Sequence, residues 1–277
     1  MAYKIADNIK ITSFFSMFQC FREGGYDFTG ETHDFWECLY LKKGKVCVSG
    51  DERVYNMNEG EIVFHKPLEL HKYYVEEDAS AELFIFSFSM EGNLTNFFEQ
   101  KCFKLNENQQ HIMNDILEFV NNKNLCYPNN NFIYTKTLTN LSKSNVHMQM
   151  LANFLCSLFL SICDGFNVVT ETETEASLAF SKAVKFMREN IGKSLGVGDI
   201  AENCCISETG LKKIFSQIAG LGVHKYFLKL KINRAMKMLK EGNSVSDCAE
   251  MLGFSSQAYF SAAFKRETGT SPGEYKK

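Results

Sequence analysis

The chain has 277 residues, 45% of them hydrophobic and 13% aromatic, with 25 Phe, which is enough material for two compact cores. Residues 1–7 lack the basic start and apolar run of a signal peptide, and the most apolar stretch, 154–163, is short for a bilayer and broken by Ser157 and Ser161. These features argue against export and a membrane span as the expectation, so the ten cysteines, which form no CxxC pair, read as reduced thiols in the cytoplasm.

The formal charge of −3 hides an asymmetry. Residues 1–175 carry 14 Lys/Arg against 24 Asp/Glu, and residues 176–277 carry 16 against 9. An acidic N-terminal part is repelled from polyanions, whereas a basic C-terminal part is drawn to them.

In chain order, short runs rich in aromatic and β-branched residues predict strands over 36–41, 45–49, 53–57, 61–65, 71–75 and 82–90. Gly44, Gly50, Asp51, Glu59, Gly60 and Pro67 punctuate them. In the last run Phe84, Phe86, Phe88 and Met90 alternate with Leu83, Ile85, Ser87 and Ser89, so one face is wholly apolar. Six closely spaced strands predict a small barrel or sandwich with Phe-rich inward faces. Helices are expected over 107–122 and 145–164. The second carries a broad stripe of Val146, Met150, Leu151, Phe154, Leu155, Leu158, Phe159 and Ile162. Part of that stripe covers the barrel, and the surplus is either available to a second copy in a homodimer or buried within the same domain.

Within the strands, Gly25, Glu31, His33, Glu37 and Gly44 follow the spacing of the first cupin motif, and Gly60 to His71 keeps the glycine-to-histidine spacing of the second. In metal-binding cupins, which these residues resemble, four such side chains converge on a divalent ion. Three departures count against a metal: Glu31 replaces a histidine, Glu69 replaces the glycine after Pro67, and Val75 stands where the motif ends in asparagine. The expectation is therefore no metal and no cofactor, with His33, Glu37 and His71 at the mouth of a pocket for a partly apolar small-molecule effector.

The polar run TETETE at 170–175 has no periodicity and predicts a domain boundary at about 166–176. Beyond it, Asp199, Ile200, Ala201 and Glu202 begin a helix, Cys204, Cys205 and Ile206 carry a turn, and Ser207 suits the N-cap of the next helix. That helix buries Leu211, Ile214, Phe215 and Ile218 and leaves Glu208, Thr209, Lys212, Lys213 and Ser216 outward. A second copy follows. Residues 246–250 match the first helix, and Gly253, Phe254 and Ser255 match the turn. The next helix has Tyr259, Phe260, Ala263 and Phe264 as its buried stripe and Gln257, Ser261 and Lys265 on the other side. Between the copies, 223–240 reads as one helix closed by Gly242.

This pair of helix-turn-helix units, with the wording FKRETG followed by Ser271, Pro272 and Tyr275, resembles the AraC/XylS family of bacterial transcription regulators over about 176–277. The resemblance implies an α+β two-domain chain. Residues 1–170 would be a cupin-like sensory or dimerisation barrel with helices. Residues 171–277 would be an all-α domain whose helix-turn-helix units, about 197–217 and 245–265, are joined by a long helix.

Carried over by position, Thr209, Lys212 and Lys213 would read bases, with Ser216 or Gln217 near the backbone. Ser256, Gln257 and Ser261 would read bases in the second unit. There Ala262 stands where many relatives carry a basic residue, which leaves Lys265 and Arg266 to phosphate. Lys229 and Lys231 on the linking helix could meet an effector carboxylate, with DNA phosphate or plain solvent as the favoured alternatives. The implied partners are double-stranded promoter DNA, RNA polymerase, a small-molecule effector and a second copy of the chain. The implied role is a non-enzymatic transcriptional regulator that activates. Two alternatives stand beside it: a metal-dependent cupin enzyme fused to a DNA-binding module, and an interaction regulator that needs no effector.

Overall fold

The computed structural model describes Ala6, residues 8–99 and 101–122, Leu138 and residues 141–276. It divides into two compact units, Met1–Thr172 and Glu173–Lys277.

The first unit contains strands β1 (Lys10–Arg22), β2 (Trp36–Gly50), β3 (Arg53–Asn58), β4 (Glu61–His65), β5 (His71–Tyr74), β6 (Ala81–Glu91) and β7 (Lys101–Lys104). Helices α1 (Glu107–Asn122) and α2 (Asn145–Asp164) and the short strand β8 (Asn167–Val168) follow. All described pairings are antiparallel. The order is β1-β6-β2-β4-β7-β8, with β3 and β5 on the far half of β2.

β2 explains the shape. Its first half pairs with β4 and β6, and its second half with β3 and β5. The strand therefore passes from one sheet to the other and curls the whole into a cupin-like barrel. The sequence reading broke this strand at Gly44. Instead Gly44, at φ 91°, carries it through a register shift, with Ser80 O so close that a Cβ would lie 1.9 Å from it. β1 was not expected at all. Two register shifts against β6, near Ile11/Ser13 and Phe14/Ser16, break the alternation that would have announced it.

The barrel wall has a core on each side. Leu39, Leu41, Val46, Val48, Met57, Val63, Leu83 and Ile85 fill the inside. On the other side Phe64, Phe84, Phe86, Phe88 and Phe103 pack under Met113, Ile116, Leu155, Leu158 and Phe159 of the two helices. The Phe-rich face of β6 thus lies beneath the helices, not in the barrel interior, and the expectation of Phe-rich inward faces is corrected on this strand. Alternation reveals an apolar face but not which core receives it.

α2 spans 20 residues, twice the length of the apolar stretch 154–163, and is long and apolar enough to cross a membrane by length and composition alone. Its Leu151, Ala152, Leu155, Leu158, Phe159 and Ile162 are buried in the helix-side core. Val146, Met150 and Leu160 are exposed.

The second unit contains seven helices among the described residues: α3 (Glu175–Glu189), α4 (Val197–Cys204), α5 (Glu208–Ala219), α6 (Val223–Lys240), α7 (Val245–Met251), α8 (Gln257–Thr268) and α9 (Pro272–Tyr275). Phe180 of α3, Phe215 of α5 and Tyr226 of α6 meet ring to ring at 5.0–5.7 Å and centre the first half. Ile232, Ala235, Met238 and Leu239 of α6 pack with Cys248, Leu252, Phe260, Ala263 and Phe264 in the second. α6 serves both halves, and Gly242 closes it at φ 97°. There Asn243 N donates to Met238 O and Gly242 N to Leu239 O, the paired bonds of a Schellman ending.

Candidate nucleic-acid interface and sensory pocket

The two helix-turn-helix units are built by the same local devices. In the first, Asp199 accepts from Gly196 N at 2.8 Å to start α4. α4 ends at Cys205 in the left-handed conformation, where Ile206 N donates to Ala201 O and Cys205 N to Glu202 O. Ser207 Oγ then accepts from Gly210 N at 3.1 Å and caps α5. In the second, Asp247 and Ser244 form a capping box. Gly253 takes the left-handed turn with the equivalent bonds to Ala249 O and Glu250 O, and Ser256 caps α8 by accepting from Tyr259 N at 3.1 Å.

On α5, Leu211, Phe215 and Ile218 are buried, and Thr209, Lys212, Lys213, Ser216 and Gln217 are exposed on the opposite side. Ile214 is half-buried. Lys212 pairs with Glu208 one turn earlier at 3.1 Å, a solvent-exposed contact worth little to stability. On α8, Phe260, Ala263 and Phe264 are buried. Gln257, Lys265 and Arg266 are exposed, Ser256 is exposed but its hydroxyl serves the cap, and Ser261 is half-buried. Tyr259, expected in the buried stripe, is 52% exposed. The buried face runs through 260, 263 and 264, and the preceding residue turns aside and leans on Phe254 at 5.9 Å.

Lys229 and Lys231 both turn toward groups of the helical unit itself. The Lys231 ammonium is buried inside the helical unit and donates to Lys193 O at 2.9 Å and Leu252 O at 2.8 Å, over the rings of Phe227 and Phe254. It ties the loop after α3 and the end of α7 to the linking helix, and burial lowers its pKa. Beside this tie, Gly253 lies so close to Gly192 that a Cβ on it would come 2.0 Å from Gly192 O. Lys229 is half-buried near Glu267 at 4.0 Å, and burial lowers its pKa too. Both ammoniums are thus engaged within their own unit, and Lys231 is corrected from effector contact to structural tie.

In the barrel, Glu31 and His71 face each other across a bridge, with Glu31 N donating to His71 O at 2.9 Å and His71 N to Glu31 O at 3.0 Å. Glu37 stands opposite His65 in the β2–β4 register. This topology brings Glu37 Oε1 to 3.3 Å from His71 Nε2, Glu37 Oε2 to 3.6 Å from His33 Nε2, and Glu31 Oε1 to 3.9 Å from His71 Nε2.

The three expected pocket residues His33, Glu37 and His71 are therefore together, and Glu31 joins them. Burial alone would raise the Glu37 carboxyl, but His33 and His71 overcome it and hold the group well below the usual carboxylate range. Burial likewise opposes charge on His71, yet Glu37, Glu69 and Glu31 together push it up to about 9. Burial and the Glu37 charge raise Glu31.

Behind this set, His65 stacks on His71 at 4.3 Å, and its Nδ1 lies 2.9 Å from Glu69 Oε1. Burial, then the neighbouring His71, lowers the pKa of His65. Sequence reasoning did not assign His65 and Glu69 to the site. Gly50 makes room for the Glu69 carboxylate, since a Cβ there would sit 1.9 Å from it.

A cavity of about 270 Å³ opens onto the cluster. Phe15, Phe18, Phe28, Phe35, Tyr73 and Ile85 line it together with Ser16, Ser87, Glu31, His33 and Glu37. Its aromatic wall comes from β1, β5 and the loop before β2 rather than from the Phe face of β6.

A curled antiparallel barrel with an internal cavity, and a helical unit that repeats the helix-turn-helix about one long helix, define a class of two-domain regulators. The model of the AraC-like ligand binding domain matches residues 18–111, and that of a helix-turn-helix domain matches 200–277; the chain belongs to the AraC family of transcription regulators. It is 26% identical to the Msm operon regulatory protein of Streptococcus mutans over 50% of this chain and 51% of that protein. The chain thus spans about half the length of that relative. It is 25% identical to the uncharacterized HTH-type transcriptional regulator YidL of Escherichia coli over 86% of this chain and 73% of that one. The solved AraC-type DNA-binding domain from Chromobacterium violaceum is 30% identical over 36% of this chain and 91% of its own, at a TM-score of 0.35.

Proposed function

We propose that this chain is a sequence-specific DNA-binding regulator of transcription, an activator acting through RNA polymerase, and that its N-terminal barrel holds a partly apolar small-molecule effector. The observation that carries the reading is the pair of capped helix-turn-helix units, each turning a polar or basic face to solvent from a module with 16 Lys/Arg and 9 Asp/Glu. A basic module of this kind meets phosphate favourably, and one exposed helix per unit suits the major groove.

In this reading Thr209, Lys212 and Lys213 read base edges, and Ser216 and Gln217 lie near the backbone. Gln257 and Ser261 contribute fewer base contacts, and Lys265 and Arg266 hold phosphate. Residues 1–170 sense and 171–277 bind, in the cytoplasm and without catalysis.

The test is genome-wide mapping of bound sites, with and without candidate effectors. The reading expects discrete promoter-proximal sites whose occupancy or output changes with one effector. Uniform, sequence-independent binding would overturn it.

Association of two copies has one specific observation in its favour. Val146, Met150 and Leu160 recur along one exposed side of α2 at the spacing of a helix–helix seam. Sedimentation of the wild type against Met150→Glu checks it, with a dimer expected only in the wild type.

A further inference from the structure

The cavity in the barrel combines an aromatic wall with a single concentration of charge. Phe15 stacks on Phe35 at 4.2 Å, Phe35 on His33 at 3.9 Å, and Phe28 on Tyr73 at 5.2 Å. The charged lining groups are Glu31 and Glu37, with His33 between them in sequence, and among the described residues no Lys or Arg lines the cavity. Its two serines, Ser16 and Ser87, are bonded to each other at 2.6 Å.

The two carboxylates are not equally answered. His33 Nδ1 lies 3.0 Å from Phe35 O, and His71 Nδ1 lies 3.1 Å from Glu69 O. A carbonyl oxygen can only accept, so each ring donates backwards and turns its Nε2 to Glu37. Glu37 therefore has an imidazole against each oxygen, at 3.3 Å and 3.6 Å. The ion pair of Glu31 with His71 Nε2 spans 3.9 Å, and the Glu31 side chain is 48% exposed. A weakly answered carboxylate beside aromatic rings is the combination that recognises an organic cation, since the carboxylate supplies charge and the ring faces attract a cation through their quadrupole. An anionic effector would meet two carboxylates instead. A polyol would need hydrogen-bonding groups on every side, where this wall offers rings.

We propose, resting on the reading of this cavity as an effector site, that its ligand is a small organic cation: an ammonium group held at Glu31, on an apolar body about one ring in size that lies against Phe15, Phe28 and Tyr73. The volume of about 270 Å³ sets that size, being just below the ~300–1,000 Å³ of sites for drug-sized ligands. Burial and the Glu37 charge disfavour the charged form of Glu31, and a bound ammonium offsets both.

The experiment titrates the full chain calorimetrically with phenethylamine, phenethyl alcohol and phenylacetate, which share a ring and differ in charge, and repeats the series on Glu31→Gln. The expected result is saturable binding of one amine per chain, roughly tenfold or more tighter than the alcohol, with phenylacetate the weakest and the alcohol displaced by the amine. Glu31→Gln should remove the advantage of the amine and leave the affinity for the alcohol unchanged. The ranking in the wild type needs no variant, so it decides the matter even if Glu31→Gln fails to fold. Equal binding of amine and alcohol, tighter binding of phenylacetate, or an amine preference that survives in folded Glu31→Gln would overturn the cation and leave the cavity as an effector site. Binding of none of the three would overturn both.

Discussion

The two helix-turn-helix units share a backbone and differ in two respects that separate stability from recognition. Their turns use the same pair of closing bonds, yet the first places Cys205 in the left-handed conformation at φ 59° and the second places Gly253 there at φ 65°. Cys205 is exposed, so its side chain has room. Gly253 lies against Gly192 O beside the Lys231 tie and has none. Their outward faces differ the other way. α5 presents Thr209, Lys212, Lys213, Ser216 and Gln217. α8 uses the Ser256 hydroxyl as a cap, half-buries Ser261 and offers its basic groups only in its last turn, at Lys265 and Arg266. The second unit is thus the more constrained by its surroundings, and the first is the better equipped to read.

The largest effect expected from this contrast is at the turns. Gly253→Ala should cost about 3 kcal/mol, combining ~1–2 for the left-handed conformation with about 1–3 for overpacking against backbone. Cys205→Gly should leave stability unchanged or raise it by up to about 1 kcal/mol. Thermal unfolding of both variants checks the pair, and equal losses would erase the asymmetry.

Next comes Lys231→Met, which keeps the stem but strands Lys193 O and Leu252 O. A loss of about 1–3 kcal/mol is expected, seen as a lowered melting temperature of the helical unit. No change in small-molecule binding to the barrel should accompany it.

Lys213→Ala should weaken binding to a cognate site by about 1–3 kcal/mol and relax selectivity at one or two base pairs, measured by fluorescence anisotropy on a panel of point-mutated sites. The smallest effect is at Lys265→Ala. It should weaken binding across all sequences alike and reduce the salt slope by about 1; a loss confined to one sequence would contradict a phosphate role.

Local features were legible in the chain and long-range ones were not. Ser207 announced its cap, and the apolar stripes of α2 and α5 announced their helices, because these depend on neighbours within a turn or two. β1 stayed hidden because bulges disrupt its period of two, and β2 looked like two strands because Lys42, Lys43 and Gly44 have the composition of a turn. The Phe face of β6 was visible, but its placement under the helices depends on elements distant in sequence. Lys231 illustrates the same limit in the candidate site, since its two acceptors, Lys193 O and Leu252 O, are distant in sequence. The spacing of His33, Glu37 and His71 was legible, whereas the carbonyl anchoring of the rings by Phe35 and Glu69 depends on backbone direction alone.

Selection of bound sequences from a random DNA pool, run on the wild type and on Lys213→Ala, tests the division of labour most directly. The account predicts a two-part site with halves about 10–10.5 base pairs apart centre to centre, one half more sharply defined than the other, and loss of definition in that half alone when Lys213 is removed. Recovery of no enriched sequence, or an unchanged site in the variant, would contradict it.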